Sequence, residues 1–373
     1  MSQNTQKTIL FCPLDWGLGH IARDLPLIRE FSRNGHRVVV AASEKLCDWV
    51  KSETPDIETV FFDGPKIFYS GSRGAFSEII FQLPGLLLWP GKEKKRIREL
   101  TALYHPDLIV SDNRYGARHP KITSVIITHQ LCIQLPKMVK WAEYPLHLFV
   151  KYLIGKFDQC WIPDFPKADS LAGNLVHQYR LPKNAILIGP LSRFDNTSEE
   201  NNKEFQKKTV LGILSGPEPQ RSIFEHLLRK NLEKQQGLHT LITGQTVAQN
   251  AYRKGANPVL IDHQPTREML RLIQGHKVII SRSGYSTIMD MHFLNRAIII
   301  VPTPGQTEQE YLSRFHHGHR HLRLSQKQIP ESDFEKVVTA LKTTNSCPNS
   351  PLNFRSVLRN ILRNPSGKPE ISE

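Results

Sequence analysis

Short, continuously apolar runs alternate with stretches of helical spacing along most of this chain. Residues 8–12 (TILFC) and 38–42 (VVVAA) read as buried strands, and between them Ile21, Leu25, Ile28 and Phe31 recur every three or four residues, which predicts a helix. Pro26 is expected to bend or delay that helix, because its missing N–H is harmless only in the first turn. Further strands are predicted at 108–112, 124–130, 157–162 and 185–188. A second series follows, with strands at 209–214, 239–243, 259–261, 277–280 and 297–301 and helices at 222–232 and 288–294. Strands that are apolar throughout and alternate with helices are the pattern of parallel sheets covered on both faces.

Between the two series, 194–208 (FDNTSEENNKEFQKK) is polar, charged and nearly free of aliphatic side chains, as an interdomain connection would be. A length of 373 residues also exceeds what one ordinary core accommodates. The predicted organisation is an amino-terminal domain over 1–193, a linker over 194–208, a carboxyl-terminal domain over 209–345, a final helical segment over 346–364 and a disordered tail over 365–373.

Composition narrows the function classes. The net charge of +14 favours an anionic partner, and nucleic acid, an anionic membrane surface or a phosphorylated substrate would each satisfy it. An RNP sequence, paired zinc-ligand spacing and an arginine-rich tail are all missing from the sequence, so nucleic acid is not expected. No run of eighteen apolar residues occurs and the start, MSQNTQKTILF, lacks the succession of a signal peptide, which predicts a cytoplasmic protein. Cys12, Cys47, Cys132, Cys160 and Cys347 are scattered and odd in number, as reduced thiols would be. The histidines of 314–321 (RFHHGHRH) match no zinc spacing and are read as a solvated segment, with no metal site expected. Two stretches, 76–100 and 135–157, mix aromatic and apolar residues with lysine and arginine. Each fits either a core helix with solvated basic ends or a peripheral face for the membrane's inner surface.

The candidate chemistry lies in the loops after strands. The turn SRSGYST at 281–287 offers the small or hydroxylated Ser283, Gly284, Ser286 and Thr287 at a predicted helix start, where a phosphate can approach backbone N–H groups. Asp290 follows, and Pro302-Thr303-Pro304-Gly305-Gln306 leads into Gln309 and Glu310, side-chain types that grip sugar hydroxyls. A phosphate cradle beside such a clamp suggests a nucleotide-sugar site. At the other end of the chain, Gly17-Leu18-Gly19-His20 opens the first helix, and His20 is a candidate general base near neutral pH. Asp112 and His129 close the strands at 108–112 and 124–130 and are candidate acceptor-side or base-orienting residues.

Arg282-Ser283-Gly284, Asp290 and Gln309-Glu310 together resemble the donor-binding pattern of the GT-B glycosyltransferases, closest to family 28. The resemblance implies an α/β protein of two Rossmann-like parallel-sheet domains facing across a cleft, with the carboxyl-terminal helix packing back on the amino-terminal domain. It implies a donor diphosphate near Ser215, Gly216 and Arg221 as well as Ser283 to Thr287, and a nucleoside base near His263. Asp290, Gln309 and Glu310 would hold ribose or sugar, with acceptor and base chemistry at Gly17, Gly19, His20, Asp112 and His129. Asp290 stands where the peptidoglycan enzyme of the family has Glu, a shorter clamp. No D-x-D triplet occurs, which fits transfer of a hexose or N-acetylhexosamine from a nucleotide sugar, a UDP-sugar above all, to a hydroxyl acceptor without a cofactor or metal.

Three other readings stay open at this level. GLGHIAR also resembles the sugar-nucleotide hydrolases of nonulosonic acid synthesis, which would deliver water in place of an acceptor. A non-catalytic nucleotide- or lipid-binding adaptor could keep the same fold. Gly17 to Ala22 fits G-x-G-x-x-A, the dinucleotide fingerprint, although Glu44 lies beyond the place of its acidic partner.

Overall fold

A computed structural model describes residues 6–64, 75–195, 210–244, 257–339 and 354–363. The chain divides into two compact units, the first made of Met1–Ile67, Phe81–Arg193 and Pro348–Glu373 and the second of Phe194–Cys347 with Phe68–Ile80.

The first unit contains β1 (Thr8–Pro13), β2 (Arg37–Ala42), β3 (Glu58–Phe61), β4 (Leu108–Asp112), β5 (Thr123–Ile127), β6 (Gln159–Ile162) and β7 (Ala185–Leu187). They form one sheet in the order β3-β2-β1-β4-β5-β6-β7, parallel throughout. Alternate residues of a strand face opposite sides, so Ile9 and Phe11 join one core with Ile21, Leu25 and Ile28, while Leu10 and Cys12 join another with Ile97 and Leu100. Helix Phe354–Arg363 packs Phe354 and Leu358 into the first of these cores, and Arg355 Nε reaches Glu30 Oε2 at 3.2 Å.

The expected effect of Pro26 on the helix start is not seen. The helix runs from Leu18 to Arg33 with Pro26 inside it. Losing one backbone bond at proline costs about 3 kcal/mol. Burial of Ile21, Leu25, Leu27, Ile28 and Phe31 on this helix, at roughly 1.5–3 kcal/mol for each large side chain, outweighs it.

The second unit contains β8 (Val210–Ile213), β9 (Thr240–Ile242), β10 (Val259–Ile261), β11 (Val278–Ser281), β12 (Ile299–Ile300) and β13 (Leu322–Arg323). Its parallel sheet has the order β10-β9-β8-β11-β12-β13. Again the strands are two-sided: Val210, Val278 and Ile280 face one core and Leu211, Ile279 and Ile300 the other. Phe194, read as the first linker residue, is instead fully buried in that second core, because its ring packs with Leu211, Ile242 and Ile279. The rest of the predicted linker, 196–208, and the predicted tail, 365–373, lie outside the described residues.

The histidine segment is likewise not a solvated one. His316 and His321 are buried, with rings 5.6 Å apart, and Ile298 N donates to His321 Nδ1 at 3.3 Å. The cause is β13, which pairs with β12 directly after His321 and draws the segment against the sheet. Burial, then the neighbouring His316 and Arg320 charges, pulls the His321 pKa down to about 3. Among the described residues no group of three or more His, Cys, Asp or Glu side chains is arranged to hold a metal ion.

Candidate functional site

In the first sheet β1 and β4 are neighbours although β2 and β3 come between them in the chain, which makes their carboxyl ends a topological switch point, the usual place for a ligand crevice. Register places Asp112 beside Pro13 on one side and Ile127 on the other. The loop from Pro13 turns at Gly17, whose φ of 104° is open to glycine but strained for other residues, and enters the helix at Leu18. His20, Arg23 and Asp24 stand at i, i+3 and i+4 on that helix and therefore share a face.

These elements converge on one buried polar cluster. Asp112, fully buried, receives Arg23 Nε on Oδ2 at 2.8 Å and Arg23 Nη2 on Oδ1, a two-pronged fork. His20 Nδ1 lies 3.0 Å from Asp112 Oδ2, and Arg23 Nη1 lies 3.0 Å from His129 Nδ1. The His20 side chain keeps 17% exposure, whereas Arg23, Asp24, Asp112 and His129 are buried. Burial works to raise the Asp112 carboxyl, but the Arg23 charge, then His20, outweigh it and hold the group well below the usual carboxylate range. Asp24 goes the other way: burial, then the Asp112 charge, pushes its carboxyl well above that range. The two neighbouring acids are thus pushed in opposite directions, as two like charges at one buried place require.

His20, Asp112 and His129 are therefore brought together, with Gly17 and Gly19 exposed at the helix entrance. Arg23 and Asp24, passed over in the sequence reading, sit between them. The signal was present in the helical spacing H-x-x-R-D, but only the strand order shows that this face meets β4.

The second sheet has its own switch point between β8 and β11, where Ile213 pairs with Ser281. Helix Tyr285–Phe293 follows with Gly284 at its N-cap and no side-chain cap, and its first internal bond runs from Ile288 N to Gly284 O at 3.1 Å. The N–H groups of 285–287 thus precede the helix's own ladder, and a Cβ built on Gly284 would meet no atom within 4 Å. Ser286 and Thr287 stand half-buried in this first turn, and Asp290 half-buried one turn later.

Other predicted donor residues are engaged inside the protein. Ser283 is fully buried and its Oγ donates to Gln309 O at 2.8 Å, tying the turn to helix Thr307–Phe315. Gln309 Oε1 accepts from Thr303 N and Glu310 Oε1 from Gly305 N, each at 2.9 Å, so both side chains brace the proline loop that was expected to present them to sugar. Arg221, expected as a phosphate fork, is buried and paired with Glu218 and Glu225, and its Nη1 also donates to Thr243 O at 3.1 Å. Ser215 and Gly216 are exposed in the loop after β8, Gly216 with a φ of 105°. His263 is half-buried after β10, two strands away from β8 at the sheet edge. Arg282 is buried, donates to Val301 O, Pro302 O, Gln220 O and Gln326 Oε1, and lies 4.1 Å over the Phe224 ring. It fastens together the three segments that surround the turn.

Of the two aromatic and basic stretches, the side chains of 76–88 lie outside the described residues. The other resolves into Lys137–Ala142 and the helix Glu143–Ile154, which buries Glu143, His147, Val150 and Ile154. Its opposite side is open: Met138 is 92% exposed and Trp141 78%, and Tyr144, Leu148, Phe149 and Tyr152 are also exposed.

The profile of the Glycosyltransferase family 28 C-terminal domain matches residues 230–351. Two proteins named uncharacterized glycosyltransferase, from Methanosarcina acetivorans and Methanosarcina mazei, are each 25% identical over 309 residues, which cover 79% of this chain and 77% and 80% of theirs. Among solved structures, the putative UDP-N-acetylglucosamine 2-epimerase of Listeria monocytogenes aligns with a TM-score of 0.62 at 12% identity, covering 98% of this chain and 99% of that one. The glycotransferase of kitacinnamycin aligns with a TM-score of 0.57 at 17% identity, covering 98% and 97%. With two parallel α/β units and these likenesses along nearly its whole length, the chain has the GT-B fold, and its residues 230–351 resemble the family 28 carboxyl-terminal domain.

Proposed function

We propose that this protein is a glycosyltransferase that moves a hexose or N-acetylhexosamine from a UDP-sugar to a hydroxyl acceptor. The observation that carries this reading is the His20–Asp112 pair at the switch point of a chain whose other half resembles the family 28 domain. His20 takes the acceptor's hydroxyl proton. The freed oxygen forms the new bond to the sugar's anomeric carbon as the bond to the diphosphate breaks, and UDP leaves with that electron pair. Asp112, held ionised, stabilises the imidazolium that results.

Donor diphosphate charge is assigned to the helix start at 285–287 with Gly284, assisted by the exposed Ser215 and Gly216. His263, Asp290, Gln309 and Glu310 are assigned to base, ribose and sugar, the last two by exchanging a loop amide for a sugar hydroxyl when the donor binds. No cofactor is assigned, and charge on the leaving group is met by the helix dipole and backbone donors.

The acceptor is proposed to be lipid-linked. The exposed Lys137, Lys140 and Lys156 share this stretch with the exposed Met138, Trp141, Tyr144, Leu148 and Tyr152, and Lys156 Nζ lies 4.3 Å over the Tyr152 ring, a mixture that suits an anionic bilayer surface. Flotation with phosphatidylglycerol vesicles should recover the protein, and phosphatidylcholine vesicles should not; equal recovery with both, or none with either, removes the membrane assignment.

The activity itself is tested by following UDP release from a panel of UDP-sugars with and without hydroxyl acceptors. Release that depends on an acceptor and falls in His20→Ala supports transfer. Release at one rate with and without acceptor means that water is the acceptor, and the enzyme is then a UDP-sugar hydrolase on the same scaffold.

A further inference from the structure

The first unit holds an arginine whose partners determine where protons sit on two histidines. A guanidinium only donates hydrogen bonds and stays charged at any working pH, whereas each imidazole nitrogen donates or accepts according to tautomer. Arg23 Nη1 lies 3.0 Å from His129 Nδ1, so His129 Nδ1 must be the acceptor. The proton of neutral His129 then belongs to Nε2.

His20 presents a conflict that the same residue resolves. Its Nδ1 lies 3.0 Å from Asp112 Oδ2, which calls for a proton on Nδ1, and also 3.0 Å from Arg23 Nη2, which calls for a lone pair there. Arg23 grips the carboxylate with Nη2 on Oδ1 and Nε on Oδ2, so the fork is complete without His20. The carboxylate, kept ionised by that fork, is the stronger claimant on Nδ1.

We propose that Arg23 is a positioning residue that sets the two histidines to opposite tautomers: His20 protonated on Nδ1, with Nε2 as the proton acceptor, and His129 protonated on Nε2, as a hydrogen-bond donor. Asp112 carries the effect to His20, and direct contact carries it to His129. Asp24 complements it: burial and the Asp112 charge push its carboxyl up, which favours Asp112 as the ionised carboxylate for Arg23. Only the catalytic meaning of the His20 tautomer rests on the base assigned above; the tautomers themselves follow from the hydrogen bonds.

The test is a two-bond 1H–15N correlation spectrum of the full-length protein labelled in its histidines, recorded about two pH units above the ordinary imidazole pKa. His20→Gln and His129→Gln spectra assign the peaks. The wild-type protein should show His20 with a proton on Nδ1 and His129 with a proton on Nε2. Arg23→Gln should turn His129 into a mixture and lower the kcat for transfer at least ~10-fold with KM for the donor unchanged. Arg23→Lys, which keeps the charge without the fork, should keep His20 protonated on Nδ1 while His129 becomes a mixture. His20 protonated on Nε2 in the wild type overturns the proposal, and that reading survives even if neither variant folds. Unchanged patterns for both histidines in Arg23→Gln also overturn it. No donor or acceptor is needed for the spectra, so a protein inactive with every sugar but showing these tautomers refutes the glycosyl-transfer reading alone.

Discussion

Each unit buries an arginine at the switch point of its sheet, and the two are used differently. Arg23 is set against a carboxylate and two histidines, all ionisable, and the result is a cluster in which proton positions are controlled. Arg282 is set against three carbonyls, one amide side chain and an aromatic face. Burial pulls its pKa down to about 9, and its work is to hold a turn in shape. Under the proposed function the same residue type thus serves acid–base chemistry in one unit and backbone presentation in the other. What decides is the company, because a buried cation beside an anion shifts the pKa of everything near it, while one capped by carbonyls mainly adds hydrogen bonds and packing.

The sharpest way to break this comparison is at the base. His20→Ala should reduce kcat for transfer by roughly 10²–10⁴-fold, with little change in the unfolding midpoint in urea, since the imidazole is partly exposed. An equally large loss of stability would make His20 a structural residue instead. On the other side, Arg282→Ala should act through folding. Four acceptors and the Phe224 contact are lost, and a cost of about 3 kcal/mol is expected from urea unfolding, with Arg282→Lys recovering only part.

A smaller effect is expected at Gly284. Its backbone has no need of glycine and a Cβ there meets nothing, so Gly284→Ala should leave the melting temperature unchanged. The methyl would occupy the approach to the helix start, and UDP affinity measured by calorimetry should fall about tenfold, or 1.4 kcal/mol. Unchanged affinity would place the diphosphate elsewhere.

The mildest is a pH effect. Asp24 has a raised pKa in the folded chain, so its contribution favours folding at low pH and is lost as pH rises from the ordinary carboxylate value through the raised one. Asp112 has a lowered pKa, so its contribution is present above the ordinary value and is lost as pH falls below it. Asp24→Asn should therefore gain stability relative to wild type as pH is raised from about 4 to neutrality; urea unfolding across that range checks it, and a parallel pair of curves would mean that Asp24 is ionised.

Much of the fold was legible in the chain, because strands buried on both faces cannot avoid continuous apolar runs such as VVVAA and VII. Strand β13 was not, since two residues paired at an edge leave no pattern. At the site, His20, Asp112 and His129 could be named individually from their places after strands. Arg23 and Asp24 could not, for a charged pair inside an amphipathic helix reads as a solvated face until strand order shows what it meets. Arg221 and Ser283 illustrate the reverse limit. Their chemistry fits a ligand, yet a loop's own amides and carbonyls compete for the same groups, and that competition is decided by geometry a sequence does not display.

The division of labour between the units is tested most directly by titrating UDP into the wild-type, His20→Ala and Gly284→Ala proteins. The expected result is one affinity for wild type and His20→Ala and a weaker one for Gly284→Ala, because the donor is held by the second unit's backbone and the proton by the first unit's histidine. Loss of UDP binding in His20→Ala with full binding in Gly284→Ala would contradict the account.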